Sequence, residues 1–151
     1  MRTWIGLAVL ALSASSLAVA SPPSAKVQLP CESHDQTLSP TGAQLLVVCT
    51  DHSLHLVSVS DGAQRELLPA DRRASAVAFS QDGRRLALGF SDGTVQVLST
   101  DNSAPAQRWK ATAARRIDLL HFLPDAKNLV VAPTDTPGEV WDLTSTPTQR
   151  A

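Results

Sequence analysis

Apolar residues along this chain come in short bursts, each closed by a few polar, turn-forming residues. Ala76–Ser99 shows the unit: AVAFS, QDG, RRLALGF, SDG, TVQVLS. The pattern predicts a strand over Ala76–Ser80 and a turn carrying Asp82-Gly83, where glycine supplies a positive φ. A second strand over Leu86–Phe90 then reaches Asp92-Gly93, a pair suited to a tight hairpin. A third strand over Thr94–Ser99 leads into a polar linker. Less regular fourth strands are expected around Arg65–Leu68 and Gln107–Lys110.

The unit recurs. A shift of 41 residues lays Leu38-Ser39 on Phe79-Ser80, Gly42 on Gly83, Leu45 on Leu86, Asp51 on Asp92 and Leu56 on Val97. A shift of 43 lays Phe122 on Phe79, Asp125 on Asp82, Leu129 on Leu86, Asp135 on Asp92 and Trp141-Asp142 on Leu98-Ser99. Neither register needs a gap, and internal repetition at this period marks a repeat architecture. The second strands are apolar on both faces, as in Leu45-Leu46-Val47-Val48 and Leu129-Val130-Val131-Ala132. A sheet with one wet face alternates; a sheet packed on both sides need not. The expected fold class is therefore all-β, built of stacked antiparallel blades.

The stretch AFSQDGRRLALGFSDGTVQVLS resembles a repeat of the WD-repeat β-propeller family, and VWDL at Val140–Leu143 carries that family's Trp-Asp ending. The similarity covers roughly residues 36–143. The resemblance implies that Asp51, Asp92 and Asp135 are structural aspartates of the turn between second and third strands, beside the turn glycines Gly42, Gly83 and Gly93. Trp141 and Asp142 form the WD motif. The Gly-His pair of the family is absent, with Pro69-Ala70 and Thr112-Ala113 near its place. Only one copy keeps Trp-Asp, so the family's His–Ser/Thr–Asp–Trp hydrogen-bond network is not expected. Three repeats, at about residues 36–70, 74–111 and 117–146, fall short of the ~4–8 blades of a closed propeller. The expected architecture is an incomplete, open propeller of three blades. Lys26–Leu29 (KVQL), within an N-terminal segment 21–35, is a candidate extra strand, and residues 147–151 read as a tail without room for a full fourth strand.

The N-terminus has its own pattern. Arg2 is followed by the uncharged run WIGLAVLALSASSLAVA, Trp4–Ala20, ending in Ala-Val-Ala before Ser21. That is the form of a cleaved secretory signal over residues 1–20, with an uncleaved membrane anchor as the competing reading. The expected compartment is secreted or periplasmic. Export changes the meaning of Cys31 and Cys49, which an oxidising compartment would join in a disulfide, although Cys49 in its apolar run would also suit a free buried thiol.

Charge and chemistry narrow the function. The chain has 13 Lys and Arg against 14 Asp and Glu, a net charge of −1; residues 1–20 remove only Arg2, leaving −2. No electrostatic footprint for nucleic acid follows. The doublets Arg72-Arg73, Arg84-Arg85 and Arg115-Arg116 read as solvated turns, with an anionic-partner patch as the alternative. His52 and His55 stand three apart, one in a turn and one on a strand, and do not converge on a metal. His34-Asp35 lacks a nucleophile elbow, and no phosphate-binding glycine loop or paired-cysteine spacing occurs. No catalytic, metal or cofactor-binding residues are expected, and no cofactor. Trp109, on an outer strand, is a candidate partner contact. The expected function is an exported, non-catalytic platform that binds a protein partner or self-associates, with no small-molecule ligand and no membrane contact beyond the leader. The alternative is a subunit or shortened derivative of a propeller enzyme or ligand-binding protein.

Overall fold

A computed structural model describes residues 27–149; the expected leader over residues 1–20 lies outside them. Twelve strands and no helix make up these residues. The first sheet holds β1 (Ser33–Leu38), β2 (Gln44–Cys49), β3 (Leu54–Ser58) and β4 (Gln64–Leu68). The second holds β5 (Ala74–Phe79), β6 (Arg85–Phe90), β7 (Thr94–Ser99) and β8 (Gln107–Lys110). The third holds β9 (Ile117–Phe122), β10 (Asn128–Pro133), β11 (Glu139–Asp142) and β12 (Thr148–Gln149). Each sheet is an antiparallel meander in which chain neighbours pair.

Register decides which side chains meet. Leu46 pairs with Leu56, and Leu86 with both Phe79 and Leu98. These positions put Leu46, Leu54 and Leu56 of the first sheet against Leu86, Leu88 and Phe90 of the second, in one buried cluster. The opposite face of the second sheet gives Ala87, Val95 and Val97 to a cluster with Leu120, Phe122, Leu129, Val131 and Trp141 of the third. The middle sheet is thus packed on both sides, which is why every residue of Leu86–Phe90 is buried. Among the described residues the three sheets form an open arc of blades and close no ring.

Three segments differ from the sequence expectation. β1 begins at Ser33, inside the stretch set aside as an N-terminal segment. Residues 27–29 form no strand; instead Val27, Leu29 and Cys31 pack on Val47, Cys49 and Val57. Covering apolar area stabilises such a segment without any strand pairing. The tail contributes β12, two residues long, which pairs Thr148 with Asp142 and Gln149 with Trp141.

Candidate functional site

The turns come first, because they position everything at the ends of the blades. Seven aspartates each accept the backbone N–H two residues on: Asp51 from Ser53, Asp61 from Ala63, Asp82 from Arg84, Asp92 from Thr94, Asp101 from Ser103, Asp125 from Lys127 and Asp142 from Thr144. This is the Asx turn, a side chain mimicking the backbone. Ser53 Oγ donates to Asp51 at 2.7 Å and Thr94 Oγ1 to Asp92 at 2.8 Å. The Ser53 hydroxyl and backbone N–H hold the Asp51 carboxyl below its ordinary range. For Asp92 the Thr94 backbone N–H is the larger cause and its hydroxyl the second.

Asp135 differs from its two counterparts. Its backbone lies at φ +55°. The residue two positions on is Pro137, which has no N–H to donate. Gly42, Gly83 and Gly93 all take positive φ, at 72°, 69° and 81°.

The WD position is built differently from the family pattern. Trp141 Nε1–H donates to Glu139 Oε2 at 2.8 Å, and the same carboxylate accepts the Thr112 N–H at 3.0 Å. Glu139 is buried, so both bonds form in a low dielectric. The tryptophan is tied to the linker entering its own blade through a glutamate rather than through the family's histidine. In the first sheet a smaller relay runs from Asp51 through Ser53 Oγ to His55 Nε2, the last step 3.1 Å. Glu139 was not singled out in the sequence; its only signal is a carboxylate two residues before the Trp, on the same face of a four-residue strand.

Trp109 lies at the junction of two blades. It is half-buried, and its ring centroid lies 5.6 Å from that of Trp141, tilted by 40°. Its ring joins the second sheet to the third. Its indole N–H is buried with no hydrogen-bond partner among the described residues.

Cys31 and Cys49 form a disulfide with a Cα–Cα distance of 5.8 Å. The bond pins the strap Val27–Cys31 across the outward face of the first sheet, where Gln64 Nε2 also donates to Gln28 O at 2.8 Å. The third sheet has no such cover among the described residues. Its outward positions, read from the pairing of Ala132 with Leu119 and of Val130 with His121 and Val140, carry Leu119, His121, Val130, Ala132 and Val140. Leu119 is 55% exposed.

A cleft of about 310 Å³ opens between the first two sheets, lined by residues including His34, Asp35, His52, Leu54, Arg73 and Val77. His52 sits in the turn at φ 72° and His55 on β3 bonded to Ser53. No group of three or more metal-ligating side chains occurs among the described residues.

No protein-family model matches the sequence, and no curated protein matches it. Solved structures do. The β-propeller domain of Cps50 (Swd1) from Myceliophteria thermophila aligns with a TM-score of 0.65 at 12% identity, over 83% of this chain and 40% of that one. U3-55K and the WD40 repeats of RRP9 each align at 0.62 and 18% identity, over 80% of this chain and 37% of theirs. The chain therefore has the WD-repeat β-propeller fold in divergent form, and spans about two fifths of the length of these structures.

Proposed function

We propose that this chain is an exported, non-catalytic platform for protein contacts, and that its first partner is a second copy of itself, joined through the outward face of the third sheet. One observation carries the reading. The two outermost blade faces are unequal: a disulfide-pinned strap covers Val47, Cys49 and Val57 of the first sheet and leaves only Leu38 at its edge exposed, whereas Leu119, Val130, Ala132 and Val140, beside His121, have no described segment against them. Apolar faces of this kind mark contact sites. Head-to-tail joining would require displacing the strap, so pairing of like faces about a two-fold axis is the remaining self-association. Export is supported by the Trp4–Ala20 run with its Ala-Val-Ala exit and by the disulfide, which persists in oxidising compartments. The WD-repeat fold supports a scaffold over an enzyme by analogy only.

The test is the native mass of the protein recovered after export, by light scattering on a size-exclusion column, with intact mass read on the same sample. A discrete dimer that Leu119→Lys converts to a monomer, starting at Ser21, supports the proposal. A folded monomer sinks self-pairing and points to a capping partner. Recovery with residues 1–20 intact and membrane-bound sinks cleavage.

A further inference from the structure

The 43-residue repeat lays Arg72-Arg73 on Arg115-Arg116, so the same doublet stands just before β5 and just before β9. In an antiparallel meander repeated around an arc, equivalent loops lie at the same end. There, Arg73 and Arg116 line one cleft of about 270 Å³ with Ser75, Ser91 and Ala74. Arginines from the loops leading into two different blades thus line a single concave site.

Their existing commitments are light. Arg73 has no ion pair or hydrogen-bond partner among the described residues. Arg116 pairs with Asp118 at 3.2 Å, with both side chains about half exposed or more (62% and 49%). Such a solvated pair is worth little and is readily exchanged. Arg72 is held over the Phe90 ring, 5.0 Å from its centroid, and adds positive charge nearby without entering the cleft. The Ser75 hydroxyl is already spent, donating to Ile117 O at 2.7 Å. Ser91, exposed in the turn, keeps its hydroxyl proton to donate. The neighbouring carboxylates are Asp118, Asp71 and Asp92; Asp92 faces Lys110 at 3.8 Å and bonds Thr94.

We propose that this cleft binds a phosphate group, held by Arg73 and Arg116, one from the loop entering each blade, with Ser91 as a third donor. A carboxylate is satisfied by one guanidinium fork, whereas a tetrahedral dianion offers enough oxygens for two forks and a hydroxyl. The phosphate is either free or carried as a monoester. This site stands apart from the face-pairing reading and is independent of whether the protein dimerises.

The experiment uses protein with 15N-labelled arginine, titrated separately with inorganic phosphate, O-phosphoserine and acetate at constant ionic strength, following the arginine Nε–H signals. Saturable shifts of the Arg73 and Arg116 signals by phosphate, with little response to acetate, are expected. Arg73→Gln and Arg116→Gln each weaken binding about tenfold or more, the loss of one charge-assisted contact. Arg108→Gln, exposed on β8 away from the cleft, leaves it unchanged. Phosphoserine binding at least as well as phosphate assigns a monoester, and phosphate alone assigns the free ion. Linear shifts, an equal response to acetate, or full binding in Arg73→Gln overturns the proposal. The two arginines are exposed, and unchanged unfolding midpoints of the variants confirm that any loss is local.

Discussion

Gly89 and Gly42 are required for different reasons, and the difference is measurable. An added Cβ at Gly89 would stand 2.6 Å from Ile117 Cγ2, so the second and third sheets touch there through backbone and side chain. Ile117 is fully buried and cannot swing aside cheaply. At Gly42 an added Cβ meets nothing within 4 Å, but its φ of +72° is one that side-chain-bearing residues adopt only with strain. Gly89→Ala should cost about 1–3 kcal/mol by forcing the blades apart. Gly42→Ala should cost about 1 kcal/mol, from backbone conformation alone. Urea unfolding midpoints compare the two. If Gly42→Ala is the more damaging, close packing of β6 on β9 is not what fixes Gly89.

At the scale of elements, the strap is the part that makes this arc asymmetric. The Cys31–Cys49 bond closes a loop of 18 residues in sequence separation and holds Val27 and Leu29 on Val47 and Val57. Removing it should lower stability by about 3 kcal/mol through the unfolded chain's regained freedom. It should also loosen the strap before the sheets. Under a dithiol reductant, limited proteolysis is expected to cut near residues 27–32 while residues 33–149 stay intact. Loss of the whole arc at the same rate would show that the strap is not a separable cap. The Cys31–Cys49 pairing was legible from the export signal and the even cysteine count, but the strap's course was not, because Val27 and Leu29 meet the first sheet only through tertiary packing. β2, β5, β6, β7 and β10 were legible, since each is a local run rich in apolar residues and bounded by local turn residues. The departure at Asp135 was not: the repeat register placed it with Asp51 and Asp92, although the residue two positions on is a proline with no N–H to donate. β12 was not, because two residues carry no period. The Glu139–Trp141–Thr112 bond set was not either, since Thr112 lies in the preceding linker.

For the molecule as a whole, the stacking predicts an order of opening. Repeat arrays are held by their nearest-neighbour interfaces, so a unit with two neighbours is stabilised more than a unit with one. The second sheet has two: Leu86, Leu88 and Phe90 face the first sheet, and Ala87, Val95 and Val97 face the third. The first sheet has one sheet interface and the strap. The third has one sheet interface and, among the described residues, an outward face on which Leu119 is 55% exposed. Native-state hydrogen exchange should therefore find the slowest amides in β6 and β7, intermediate ones in β2 and β3, and the fastest paired amides at β11 and β12. Opening free energies rise toward the global value only where local release exposes most of the core. Reduction of the disulfide should speed exchange in the first sheet and leave β10 unchanged. If the third sheet instead exchanges as slowly as the second in dilute protein, its outward face is covered in solution. Exchange that then quickens in Leu119→Lys would identify the cover as the association proposed above.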